Sequence, residues 1–201
     1  MIPVILASAS PRRRALLNAL GIAFEVMMSD TEETFEGAPA AMVVRNARAK
    51  RDDIAARVAS GAIIIAADTL VFLESHVLGK PADAVKARAM LAMLSGRTHQ
   101  VLTGLSLVNT ATGRTAEGYE STDVTFRDVS PAEIDRFVEA VNPVDRAGAY
   151  TVDGPGSLLV ARYDGCYQNV LGLPVVRLDV LLREIGCSLF DLMDTRRCSF
   201  L

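Results

Sequence analysis

Histidine is nearly absent from this 201-residue chain. Only His76 and His99 occur, so no histidine-rich metal centre can be built. Cysteine is equally scarce. Cys166, Cys187 and Cys198 stand far apart in an odd-numbered set, which is neither a disulfide framework nor a zinc-ligand pattern. Long apolar runs are missing as well. The longest, Ala62 to Ala67 and Ala89 to Leu94, have six residues, against the roughly 20 that cross a bilayer. No basic segment precedes the short apolar start, so no secretory leader is expected. The formal net charge is −3, which argues against a general nucleic-acid binder. The expectation is a reduced, cytoplasmic protein that binds neither membrane nor nucleic acid.

Half the residues are apolar and 22% are charged. At this length the chain can bury about 70% of the surface that its unfolded form exposes. One domain over residues 1–187, with a tail over 188–201, is expected. Pro3 to Ala7 and Ala23 to Met28 read as strands. Ser10 and Pro11 open a helix, as N-cap and first helical residue, that ends at Gly21. Residues 29–39 form an acidic loop before a long helix over 40–59. Ala62 to Ala67 is apolar at every position, as in a strand covered on both faces, and it ends in Asp68-Thr69. A hairpin is expected around Glu74-Ser75 and a helix over 82–94. Two strands joined at 110–115 follow. Ser130 to Glu133 is a capping box that opens a helix to about Val141. Strands at 149–152 and 158–163 and a last helix over 174–185 complete a mixed α/β sheet.

The first helix breaks a local rule. Its opening turn carries Arg12, Arg13 and Arg14, where the partial positive charge of the helix terminus favours acids. An anion held there, with Ser8 and Ser10 as hydroxyl donors, would account for the clustering. A solvated basic turn is the alternative. Asp68, directly after a buried strand, is placed where open α/β sheets bind ligands. It could hold Mg²⁺ or orient water, or act as a plain turn residue. Lys80, between Gly79 and Pro81, has a fixed backbone and a long cationic arm that can reach phosphate. Lys50 and the acidic pair Glu32-Glu33 say little by themselves.

Six short segments, in order, resemble the Maf family of nucleoside triphosphate pyrophosphatases. They are Ser8 to Arg13, Ala67 to Thr69, Gly79 to Pro81, Leu94 to His99, Asp145 to Tyr150 and Asn169 to Pro174. The resemblance covers about residues 2–186. It implies a twisted mixed sheet in two lobes around a cleft, similar to inosine triphosphate pyrophosphatase-like folds, and a homodimer. It implies hydrolysis of a nucleoside triphosphate to monophosphate and pyrophosphate with Mg²⁺ or Mn²⁺, and removal of non-standard nucleotides as the cellular role. A nucleotide-binding regulator of septum formation, with little turnover, is the competing expectation. The resemblance places the catalytic aspartate at Asp68, the arginine after Ser-Pro at Arg12, an acidic loop residue at Glu33 and phosphate-binding lysines at Lys50 and Lys80; Glu33 is then expected to help Asp68 hold the metal, and Arg13 to help neutralise the triphosphate. Thr69 and Asp153 fall where base preference is set. Asp153 replaces the glutamine of the dTTP/UTP-preferring branch, and Arg48 replaces a glutamate that commonly precedes the helix lysine.

Overall fold

The computed structural model describes residues 2–59 and 61–199. The chain forms strands β1 (Val4–Ala7), β2 (Glu25–Val26), β3 (Ile63–Leu73), β4 (His76–Leu78), β5 (Thr98–Asn109), β6 (Arg114–Phe126) and β7 (Val160–Asp164). Helices are α1 (Pro11–Ala19), α2 (Pro39–Arg57), α3 (Ala84–Leu94), α4 (Pro131–Val141), α5 (Tyr167–Val170), α6 (Val175–Glu184) and α7 (Leu189–Leu192). The sheet order is β2-β1-β3-β5-β6-β7, with β4 paired to β3. β1 runs parallel to β2 and β3, while β3–β4 and β6–β7 are antiparallel. The mixed α/β sheet expected from the sequence is present. The chain divides into two compact units.

Unit 1 comprises residues 1–68, 103–120 and 172–201. Its core follows from the AIIIAA run. Ile64 and Ala66 pack with Ile5, Ala7, Ile54 and Val108, while Ile63 and Ile65, on the opposite face, are also fully buried. Both faces are therefore covered, as the unbroken apolar run implied. Along α2, Val43, Ala47 and Ile54 are fully buried. Lys50 continues that stripe at helical spacing. α2 lies directly on β5: a Cβ added to Gly104 would stand 2.3 Å from the Val43 backbone.

Unit 2 comprises residues 69–102 and 121–171. α3 packs on α4, burying Ala87, Leu91, Ile134 and Phe137. His99, Phe126 and Tyr150 meet edge-on, with ring centroids 4.8 to 5.4 Å apart. His99 Nε2 and the Tyr150 hydroxyl share a 2.8 Å hydrogen bond. Burial pushes the His99 pKa down to about 4, so its imidazole is neutral at pH 7.

Four boundaries differ from expectation. β3 continues through Asp68 to Leu73, so Asp68 lies mid-strand rather than at the end of one. β1, however, stops at Ala7, opposite Ala66. Asp68 thus stands just past the carboxyl end of the parallel pair. Residues 149–152 are not a strand, because Gly148 and Ala149 adopt φ of +68° and +61°, which extended pairing forbids. Only two residues of the expected second strand pair with β1. Finally, the segment after Cys187 opens with a Ser188–Asp191 capping box and helix α7. It returns to α1 through Asp194 N–H to Gly21 O, at 3.1 Å, and Ser199 N–H to Ala19 O, at 3.0 Å. The last two residues of the expected tail lie outside the described residues.

Gly104→Ala should therefore cost about 1–3 kcal/mol or more, since backbone cannot yield to the new methyl. Gly118→Ala meets the Leu181 and Arg177 side chains at ordinary contact distances of 3.5 to 3.8 Å and should be neutral or mildly stabilising. Urea unfolding of both variants measures the contrast.

Candidate active site

The β1–α1 turn places the first group of polar residues. Ser10 caps α1, its Oγ accepting the Arg13 N–H at 3.5 Å. The arginine side chain folds back instead of facing solvent. Arg13 Nη1 donates to Ser8 Oγ at 2.8 Å and Nε to the Gly172 carbonyl at 2.7 Å. Burial lowers its pKa to about 10, although Asp68, followed by Glu33, supports the charge. Arg12 is half-buried and Arg14 exposed. The three arginines of one turn are thus graded from buried to solvated.

The second group centres on Asp68, which is only 2% exposed. Lys50 Nζ donates to Asp68 Oδ1 at 2.6 Å and to Glu33 Oε1 at 2.7 Å. Asn46 Nδ2 donates to the other Asp68 oxygen at 3.0 Å. Burial alone would push the Asp68 pKa up. The Lys50 charge and hydrogen bond, with Asn46 and Arg13, outweigh it and hold the carboxyl below its usual range. Asn46 also fixes the acidic loop. Its Oδ1 accepts the Thr34 N–H at 3.0 Å and its amide donates to the Thr34 carbonyl at 3.1 Å. That clamp sets the position of the neighbouring Glu33.

The sequence reading missed Asn46, although its position four residues before Lys50, on the inner face of α2, carried the signal. Arg48 stays out of this cluster. It pairs with Glu117, which also receives Arg51 Nη1 at 2.8 Å and Ser106 Oγ at 2.9 Å. Three expected residues belong to unit 2. Thr69 follows Asp68 on β3 and is half-buried, whereas Lys80 is exposed after Gly79. Asp153 is exposed and accepts the Thr151 hydroxyl. It is close enough to Tyr167 to add to the upward shift that burial gives that phenol.

Chemically, unit 1 gathers Arg12, Arg13 and Lys50 with two carboxylates. The excess of cations suits a polyanion. Glu33 and Asp68 already share one hard cation, the Lys50 ammonium, and their oxygens are of the kind that bind Mg²⁺. No group of three or more acidic, histidine or cysteine side chains among the described residues is arranged to hold a metal ion. A divalent ion would therefore take its other ligands from phosphate and water, as Mg²⁺ commonly does.

The Lys50→Met variant should lose about 3–5 kcal/mol of stability at pH 7, because it leaves Asp68 buried without its partner. The sign is decided by linkage. In the parent, the depressed Asp68 pKa gives stability that is present above the ordinary carboxylate range and lost as pH falls through it. In Lys50→Met, burial prevails and raises that pKa, so the deficit should shrink as pH falls from 7 to 5. Unfolding free energies at the two pH values measure this.

A family model described as "Maf-like protein" matches residues 3–185. A dTTP/UTP pyrophosphatase of Alkaliphilus oremlandii is 43% identical over 183 residues, covering 90% of this chain and 95% of that protein. One of Moorella thermoacetica is 44% identical over 192 residues, covering 94% and 98%. Among solved structures, a HAM1 protein from Coxiella burnetii superposes with a TM-score of 0.46 and 18% identity, over 63% of this chain and 73% of that one. Matched over nearly its whole length by the family model and by relatives of this identity, the chain belongs to the Maf family.

Proposed function

We propose that this protein hydrolyses nucleoside triphosphates to the monophosphate and pyrophosphate. The observation that carries the reading is the buried Asp68 carboxylate, held ionised by Lys50 and Asn46 beside the buried guanidinium of Arg13. The names of relatives at 42–44% identity support it and point to dTTP and UTP as the first substrates to test. A water oxygen bonds to the α-phosphorus, and the bond from that phosphorus to the bridging oxygen breaks. Pyrophosphate leaves with the electron pair. Asp68 accepts the proton of the attacking water. Arg12, Arg13 and Lys50 neutralise charge on the phosphates, and Ser8 and Ser10 donate hydrogen bonds, which suits a reaction dominated by positioning and charge stabilisation. Lys80 of unit 2 serves as a further phosphate cation.

Glu33 and Asp68 would hold a Mg²⁺ or Mn²⁺ ion, which supplies neutralisation of the phosphate oxygens. Thr69 and Asp153 act in base choice. A cytoplasmic setting agrees with three free cysteines. A homodimer is proposed on family resemblance, and sedimentation would measure it.

Asp68→Asn should lower kcat by on the order of 10²–10⁴ with little change in fold, because the proton acceptor is gone. Full residual turnover in a pyrophosphate-release assay would refute the role of Asp68. Arg12→Ala should raise KM for the triphosphate far more than Arg14→Ala, since Arg14 already faces solvent.

Asp153→Gln should raise the ratio of kcat/KM for UTP over GTP by about tenfold. An ionised aspartate only accepts hydrogen bonds and disfavours the flanking carbonyls of uracil, whereas glutamine can also donate. An unchanged ratio would remove Asp153 from base choice.

A further inference from the structure

Four polar residues of α2 share one face. Asn46, Lys50, Asp53 and Arg57 recur at spacings of four, three and four, which sets them on one stripe of a helix. The acidic segment before α2 runs back along that stripe in the opposite direction. Arg57 Nη2 donates to the Met28 carbonyl at 2.8 Å, and the Asp30 N–H donates to Asp53 Oδ2 at 3.2 Å. Lys50 then meets Glu33, and Asn46 meets Thr34. All of these residues belong to unit 1.

The two ends of this strap are held differently. Arg57 and Asp53 have side chains 39% and 26% exposed, where such contacts are screened. At the other end, two consecutive helix residues engage every polar atom of Thr34. Its N–H and hydroxyl both donate to Asn46 Oδ1, at 3.0 and 3.1 Å, and its carbonyl accepts Asn46 Nδ2 at 3.1 Å. The hydroxyl oxygen also accepts Arg45 Nε at 2.9 Å. Asn46 is 2% exposed, and its amide gives its remaining hydrogen to Asp68 at 3.0 Å. Both donors and both acceptor positions of that amide are therefore in use. Only one orientation satisfies them, because a flipped amide would turn its oxygen toward the Asp68 carboxylate. Asn46 thus joins the neighbour of Glu33 directly to Asp68.

We propose that Thr34 and Asn46 form a positioning node that sets the separation of the Glu33 and Asp68 carboxylates. The inference rests on the pyrophosphatase reading and concerns residues outside the chemistry itself. Asp68 is fixed by its strand, whereas Glu33 comes from a loop, so the loop must be registered against the strand. Lys50 cannot do this alone, because its flexible arm follows the carboxylates instead of fixing them. Arg13 is held independently, by Ser8 and the Gly172 carbonyl. Disturbing the node should therefore reach turnover and the metal requirement but not nucleotide affinity.

The test uses the full chain with UTP and Mn²⁺, and the exchange rate of the Thr34 amide hydrogen. N46L should lower kcat about tenfold or more, raise half-saturating Mn²⁺ by about the same factor and leave KM for UTP within about twofold. T34V loses only the hydroxyl and should move the same two quantities by about threefold. R57Q, which cuts the other end of the strap, should keep parent kinetics. The Thr34 amide should exchange faster in N46L and at the parent rate in R57Q. Parent kinetics in N46L despite a lower thermal midpoint would mark a merely structural asparagine and overturn the proposal. A matching rise in KM, an unchanged Thr34 amide in N46L, or R57Q behaving as N46L would overturn it too. Should N46L fail to fold, T34V decides, and parent values there overturn the proposal. A parent that hydrolysed no triphosphate would sink the pyrophosphatase reading; the node would then stand only if calorimetry showed Mn²⁺ binding about tenfold weaker in N46L than in the parent.

Discussion

A single ammonium group organises unit 1. Lys50 reaches inward from α2 to two carboxylates, one of them almost wholly buried. A carboxylate in that place needs a cation, or it would take up a proton. Its partner must in turn be delivered at hydrogen-bond distance, and the local structure meets that demand. Glycine at position 104 lets α2 lie on β5. The Asn46 clamp on Thr34 holds the acidic loop, and with it Glu33.

Such a cluster is a poor stabilising device. Desolvating charges costs about as much as their pairing returns, and a well-packed apolar replacement is often as stable. The arrangement makes better sense as preorganisation. Lys50 and Asn46 keep Asp68 ionised, and Ser8 with the Gly172 carbonyl fixes Arg13 in one orientation. Charges that are already oriented need no reorganisation when a polyanion arrives.

Much of this was legible in the residues. The AIIIAA run gave a doubly covered strand, Ser10-Pro11 gave a helix start, and the arginines that break a charge preference at a helix N-terminus include Arg13, which the fold buries. The extent of β3 was not legible. Asp68 and Thr69 look like a strand end, and only pairing with β4 and β5 carries the strand on to Leu73. Nor could composition reveal the turns after Asp145, because Ala149 adopts a left-handed conformation that its own chemistry disfavours. Asn46 escaped notice because a single asparagine in a helix has no local signature. Its importance comes from what lies across from it in space.

Two charge networks leave α2 from different sides. Asn46 and Lys50 serve Asp68, while Arg48 and Arg51 serve Glu117. Successive helix positions are rotated by about 100°, so one inserted or deleted residue within α2 would turn part of this set away from its partners. Length variation among descendants of this chain is thereby driven out of the helix. It can settle only in connecting segments such as the turn over 110–113, where a Cβ on Gly113 would meet nothing.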